Sequence, residues 1–441
     1  MSDIIISVQN ISKVFPKPAS QDISVLDNID LSLRESEIVC LLGTSGSGKS
    51  TLLRIMSGLI KPSSGIVSWY GQPIKGPIPG VSMVFQNFAL LPWLTVLENV
   101  ELGLEANNIP PDQRRKRALA AIDIVGMDGF ESAYPKELSG GMCQRVGFAR
   151  AIVVEPDVLF MDEPFSALDV LTAENLRNDL IDLWVAKKTK LKAILMVTHN
   201  IYEAAYMADR ILIFGTNPGR IMADLKVDMP YDRNPDQSKF TELVDSIYHH
   251  ITQASDSFSR IGGRLKPVDI HFRLPEVEIS TLIGLVETLH SEAPTHQTEI
   301  SDLAQELHLD LDDLLPIIDS LQLLRFAQLR SGRVELTFAG KMFAEASLLD
   351  QKQIFARQLL DYLPIVKHIH KRLNMKAGHS IHQSEILMLL RQKLSDTASE
   401  DVLKTVIEWS RYAEVFAFDV NSGHLSLDNP GEVSETDAGT K

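Results

Sequence analysis

The segment Gly43-Thr44-Ser45-Gly46-Ser47-Gly48-Lys49-Ser50 constrains this chain more than any other. It follows the apolar run Glu37–Gly43 (EIVCLLG) and opens a segment in which Leu52, Met56 and Leu59 recur at helical spacing. That is the pattern G-x-x-x-x-G-K-[ST] in its required setting, a strand before it and a helix after it. Gly43, Gly46 and Gly48 let the backbone curl so that its N–H groups, Ser45 among them, point inward at phosphate oxygens. The helix N-terminus adds positive potential and Lys49 a full charge on the outer phosphates. Ser50 supplies a hydroxyl suited to Mg²⁺.

Two further apolar runs, Val158–Asp162 (VLFMD) and Ala193–His199 (AILMVTH), are continuous rather than alternating. Strands of that kind are buried on both faces in a parallel sheet. Helical spacing between the runs, as in Leu176, Leu180, Leu183 and Trp184, predicts a doubly wound α/β domain. The run Leu159-Phe160-Met161-Asp162-Glu163 ends in two acids. Asp162 suits the metal shell, and Glu163 is placed to orient or deprotonate an attacking water. His199 falls at the carboxyl edge of a strand, where open α/β sheets bind ligands, and is the candidate γ-phosphate sensor. Gln86, closing the run Val81–Phe85, has the weakest case on chemistry alone.

The rest of the composition bounds the setting. A chain of 441 residues needs more than one core. Its net charge of −15 argues against a nucleic-acid binder that works through bulk positive charge. Cys40 and Cys143 form neither a disulfide framework nor a zinc pattern, so a reducing compartment is expected. The opening MSDIIISVQNISKVF does not read as a signal peptide. No window reaches the roughly 18 apolar residues of a membrane helix, so any membrane role is expected to come through a partner.

After Gly219 the chain changes character. Asp228–Asp236 is rich in Pro and Asp, and Phe240, Leu243, Ile247 and Ile251 mark a closing helix. Of the 12 histidines, only His199 lies before position 240. An internal repeat follows: residues 298–337 and 382–427 each read helix, helix, then two short strands about a turn, at Ser331-Gly332 and Asn421-Ser422-Gly423. Helix, helix and β-wing is the winged-helix arrangement, so two such units in tandem are expected. His368, His370, His379 and His382 read as surface residues, since His368 and His370 point to different sides of a helix.

The order of motifs carries a resemblance. GTSGSGKST (Gly43–Thr51), Gln86, Leu138-Ser139-Gly140-Gly141-Met142, VLFMDEP, Ser166–Asp169 (SALD) and His199 together resemble the ATP-binding subunits of ABC transporters, over roughly residues 1–255. Read alone, Ser139-Gly140-Gly141 marks a flexible turn. In that family it is the signature loop, which implies that Ser139 and the Gly141 N–H reach the γ-phosphate of ATP held by a second ATP-binding subunit. One phosphate loop and one signature per chain imply a homo- or heterodimer. The resemblance also implies that Phe15 stacks on adenine and that Thr51 belongs to the nucleotide site. It gives Gln86 contact with Mg²⁺ or the attacking water, and makes Asp169 a bridge between the two nucleotide sites. The segment Asn87–Glu98 (NFALLPWLTVLE) would receive the coupling helix of a transmembrane permease. Glu163 is a glutamate, so hydrolysis is expected.

Met142 and Asn217-Pro218-Gly219-Arg220 resemble the nitrate/sulfonate/taurine import branch, where an external or periplasmic solute-binding protein acts indirectly. Cys143 departs from the basic residue common at its position. Residues 276–428 resemble the C-terminal associated domain of some subunits in that branch. The resemblance thus implies a P-loop NTPase domain (1–255), a linker (256–275), and an α+β region of tandem winged-helix-like units (276–345 and 346–428). A disordered tail (429–441) is expected after them. It places the chain at the cytoplasmic face of the inner or plasma membrane as a peripheral subunit. The alternative is a soluble ATPase of the same type acting on nucleic acid or a protein complex. Against DNA stand the helices that would enter a groove: Asp310–Leu324 carries Asp310, Asp312, Asp313 and Asp319 with no Lys or Arg, and Ser399–Ser410 sets Glu400, Asp401 and Glu408 against Lys404 alone.

Overall fold

The computed structural model describes residues 3–16, 22–187, 189–216, 218–235, 237–254, 260–261, 264–265, 268–292, 298–330, 332–376 and 378–427. The expected tail 429–441, Asn217 and Ser331 lie outside them. The chain divides into two compact units, Met1–Ala254 and Ser255–Lys441.

The first unit begins β1 (Ile4–Phe15), β2 (Ile23–Arg34), β3 (Glu37–Leu42), α1 (Lys49–Met56), β4 (Ser64–Trp69), β5 (Gln72–Pro73) and β6 (Val81–Val84). Then come α2 (Val96–Ala106), α3 (Pro111–Ile124), α4 (Gly140–Ile152), β7 (Val158–Asp162), α5 (Val170–Val185) and β8 (Ala193–Thr198). It closes with α6 (Ile201–Met207), β9 (Arg210–Gly215), β10 (Arg220–Lys226) and α7 (Ser238–Ala254). The main sheet runs β10-β9-β3-β8-β7-β6, parallel throughout except for the edge strand β10. A smaller antiparallel sheet has the order β2-β1-β4-β5. The three apolar runs are the adjacent strands β3, β8 and β7 of the main sheet, and each is buried along its length apart from Glu37. This is the α/β arrangement expected of unalternating strands.

Helix α1 stops at Met56, short of Leu59, which lies beyond it and is exposed. Helix α7 buries Phe240, Val244, Ile247, Tyr248 and Ile251 along one stripe. Within Pro218-Gly219-Arg220, Gly219 exchanges backbone hydrogen bonds with Val25 and Asp27, and Arg220 pairs with Asp27.

The second unit has a two-residue ladder, β11 (Arg260–Ile261) with β12 (Arg264–Leu265), then α8 (Ile279–Glu292). The first repeat is β13 (Thr298–Glu299), α9 (Ile300–Leu307), α10 (Leu311–Leu323), β14 (Ala327–Arg330) and β15 (Arg333–Leu336). Three connecting helices follow, α11 (Phe338–Glu345), α12 (Leu348–Tyr362) and α13 (Pro364–Met375). The second repeat is β16 (Ser380–His382), α14 (Gln383–Leu390), α15 (Asp396–Tyr412), β17 (Ala417–Asp419) and β18 (His424–Ser426). The sheets run β13-β15-β14 and β16-β18-β17, both antiparallel, so the two repeats share one topology. Each of these sheets has a third strand, β13 or β16, too short to leave a periodic signal in the sequence.

The repeats are fastened to one another. Phe326 after α10 packs on Phe343 of α11 at 4.8 Å and on Phe355 of α12 at 5.7 Å between ring centroids. Phe355 in turn meets the edge of Trp409 in α15 at 6.3 Å. The stretch read as a linker also belongs here from residue 268 onward. Leu274 and Val277 are buried, and Trp409 Nε1 donates to Val277 O at 2.9 Å. Ile279 N donates to Glu408 Oε1, while Lys404 bonds Glu276 and Lys393 bonds Asp269. The sequence does not show this because the strap's charged residues Asp269 and Glu276 find their partners 124 and 128 positions away. The strap lies on α15, so the helix that would have to enter a nucleic-acid groove already has Lys404 engaged.

Candidate functional site

The site forms at the carboxyl ends of β3, β7, β8 and β6, where the phosphate loop, Asp162-Glu163, His199 and Gln86 emerge. Gly48 is at φ 97°, and a β-carbon there would stand 2.8 Å from Leu26 Cδ2, so both conformation and space demand glycine. Gly46 also has positive φ, whereas a β-carbon on Gly43 would meet Phe214 O at 2.7 Å. Lys49 is buried, and its Nζ donates to Gly43 O at 2.7 Å and Thr44 O at 2.8 Å inside the curl of the loop.

Ser50 Oγ donates to Asp162 Oδ1 at 2.7 Å, which brings the two expected metal ligands together across 112 positions of sequence. Burial raises the Asp162 pKa, opposed by the Ser50 hydroxyl. A hydroxyl and a carboxylate beside a phosphate loop form a hard oxygen donor set that fits Mg²⁺. Among the described residues no group of three or more His, Cys, Asp or Glu is arranged to hold a metal ion.

Glu163 is held in the left-handed region at φ 47°, with its N–H bonded to Val197 O. Its Oε2 lies 3.3 Å from His199 Nδ1 and accepts from Gln86 Nε2 at 3.2 Å. The His199 bond holds the carboxyl below the usual carboxylate range, against the opposing effect of burial. Gln86 Nε2 also reaches Ser166 Oγ at 3.2 Å, and that hydroxyl donates to Glu163 O at 3.0 Å. Gln86, weakest in the sequence, therefore sits in the same network as the strongest candidates. Ser166 opens the SALD motif, but no role of its own is legible in the sequence, because nothing in its spacing shows that its hydroxyl meets Gln86.

Phe15 ends β1, is partly exposed, and carries Lys13 Nζ over its ring at 4.8 Å. Thr51 lies in α1, on the turn that follows the loop. Ser139-Gly140-Gly141 is not a free turn: Ser139 caps α4 by accepting from Met142 N, and both glycines are helical. Ser139 and Gly140 are exposed. Gly141 is buried, and a β-carbon on it would stand 2.2 Å from Thr172 Cγ2, so its glycine is demanded by the close approach of α5 rather than by flexibility. Asp169 caps α5, accepting from Thr172 N at 3.0 Å. Buried Asn99, just after Asn87–Glu98, ties that segment down through Leu91, Leu94 and Thr95, leaving Trp93 69% exposed.

Residues 26–166 match the family described as ABC transporter, and residues 301–419 match the C-terminal AAA-associated domain. The chain is 42% identical over 242 residues to an uncharacterized ABC transporter ATP-binding protein of Methanocaldococcus jannaschii, covering 55% of this chain and 89% of that one. It is 41% identical to the nitrate import ATP-binding protein NrtD of Synechocystis sp., covering 50% of this chain and 87% of that one. This chain belongs to the ATP-binding subunits of ABC transporters. A third relative in that family, the aliphatic sulfonates import ATP-binding protein SsuB of Bacillus cereus, is 39% identical, with 55% of this chain and 94% of that one covered. The ABC subunit described here is an ATPase with a P-loop fold, and about half of its length lies outside the match to each of these three relatives. No helix among its described residues is long and apolar enough to cross a membrane.

Proposed function

We propose that this subunit hydrolyses ATP to drive import of a small oxyanion of the nitrate, bicarbonate or sulfonate type (taurine being a sulfonate) through separate permease subunits. The observation that carries the hydrolytic part is the meeting of Gln86, Glu163, Ser166 and His199 beside the Ser50–Asp162 pair. The solute class is supported by the relatives named for nitrate, bicarbonate and aliphatic sulfonates.

In this reading the loop N–H groups and Lys49 bind the ATP phosphates, with Phe15 against the adenine. Ser50 and Asp162 hold Mg²⁺, with Gln86 beside them; the ion supplies charge neutralisation on the outer phosphates. Glu163, kept ionised by its His199 bond, takes the proton of the attacking water, and Gln86 orients the carboxylate. Exposed Ser139 and Gly140, with the Gly141 N–H and Asp169, face a second ATP-binding subunit. The segment around Trp93 receives the permease, and the C-terminal unit regulates or docks.

The test is a tagged pull-down from detergent-solubilised membranes with mass spectrometry, comparing the full chain with residues 1–254. Recovery of a multi-spanning permease by either form supports the transporter reading. Recovery of nucleic acid or soluble complexes without any permease overturns it in favour of the soluble alternative.

A pH profile tests the Glu163 assignment. His199 lowers the Glu163 pKa, so the contribution of Glu163 to activity is expected to be lost as pH falls through that depressed value. In His199→Ala the carboxyl returns upward, and the acid limb of the kcat/KM profile moves to higher pH whatever the height of the curve. An acid limb that stays in place means that Glu163 is not the titrating base.

A further inference from the structure

The loop after Gln86 contains two consecutive non-glycine residues in the left-handed region, Phe88 at φ 57° and Ala89 at φ 49°. A β-carbon disfavours that conformation, and a pair in succession needs an outside restraint. One is present on α4. Arg150 donates from Nη2 to Phe88 O at 2.8 Å and from Nη1 to Ala89 O at 2.6 Å, so one planar guanidinium clamps both carbonyls. Phe88 lies along the same helix. Its ring Cζ would stand 3.8 Å from a β-carbon on Gly140, and its carbonyl oxygen 3.7 Å from one on Gly147. Gly140 also faces Leu168 Cδ2 and Ala167 O. The Gln86 loop, the start of α4 and the Ser166–Asp169 turn therefore meet in one contact.

We infer that Arg150 is a positioning residue for ATP hydrolysis: it fixes the Phe88–Ala89 backbone and thereby aims Gln86 Nε2 at Glu163 and Ser166. Its guanidinium acts through the two carbonyls that it bonds. Any displacement of α4 is passed through the clamp to Gln86, two residues from Phe88. The inference rests on the role given to Gln86 above.

The test uses the purified full chain, with phosphate release and nucleotide affinity measured at saturating and limiting MgATP. Misplacement of about an ångström can cost 10²-fold, so Arg150→Ala is expected to lower kcat between about ten-fold and about 10²-fold. The Kd for ATP is expected to stay within about two-fold, because the phosphate loop is untouched. Arg150→Lys, able to bond one carbonyl with its point charge, is expected to fall between. The deciding variant is Ala89→Gly in the Arg150→Ala background. Glycine adopts positive φ without a β-carbon, so it restores much of the lost kcat if the clamp works by holding the backbone. A fall in kcat that tracks lost thermal stability, with no recovery on adding Ala89→Gly, overturns the inference.

Gln86→Ala separates the two readings. If it leaves kcat intact, the role given to Gln86 is wrong and the clamp has nothing to aim. If it lowers kcat and Arg150→Ala adds nothing further in the double variant, the clamp acts through Gln86. Fully additive losses, or an unimpaired Arg150→Ala, overturn the clamp alone.

Discussion

Replacing Glu163 by glutamine is expected to lower ATP turnover by about 10²–10⁴-fold, the range set by loss of a positioned general base. Nucleotide binding is expected to survive. The substitution keeps the backbone that bonds Val197 O, and it leaves Lys49, Ser50 and Asp162 in place. Removing one negative charge beside the phosphates also weakens repulsion of the bound triphosphate. With binding intact and hydrolysis blocked, ATP should hold two copies together, visible as a shift to dimer on size exclusion in MgATP. Phosphate release at the unmodified rate would sink the assignment of Glu163. A variant that neither hydrolyses nor binds would instead make this carboxylate part of the nucleotide-binding framework.

Trp409→Ala is expected to destabilise the C-terminal unit by about 3–5 kcal/mol, the range for truncating a large buried aromatic. Trp409 is fully buried, packs on Phe355, and holds the strap through Val277 O. Losing it removes volume from the core the repeats share and leaves a buried carbonyl without its donor. Trp409→Phe keeps most of the volume and loses the bond, so its cost should be nearer 1–3 kcal/mol. Hydrogen exchange followed by mass spectrometry checks both. The alanine variant should lose protection in residues 268–279 and in α15 together. Unchanged exchange in the strap would mean that Trp409 does not hold it.

The residues that the structure brings together around the phosphate loop were legible because their signals are local. A phosphate loop must place glycines, a lysine and a hydroxyl at fixed offsets, and unalternating strands announce a parallel sheet whose carboxyl edge collects the site. What escaped depends on contacts distant in sequence. Nothing in the spacing of Arg150 shows that it bonds the carbonyls of Phe88 and Ala89, and a left-handed phenylalanine has no sequence signature. Gly141 read as freedom of the backbone, whereas the structure demands it for the approach of Thr172. The strap read as a linker because its apolar residues are too sparse for a period. Strands β13 and β16 are two and three residues long, below the length at which alternation can be detected.

The strap has a consequence in time. Val277 and Trp409 are separated by 132 positions, so Val277 is synthesised first and its partner much later. At roughly 5–20 residues per second, that interval is on the order of 7–26 s. The first repeat can close on itself in that period, because its helices and strands are contiguous in sequence. The strap cannot, because the helix it covers does not yet exist. A chain whose synthesis stops short of Trp409 leaves the Val277 carbonyl without its indole donor, however completely the first repeat has folded.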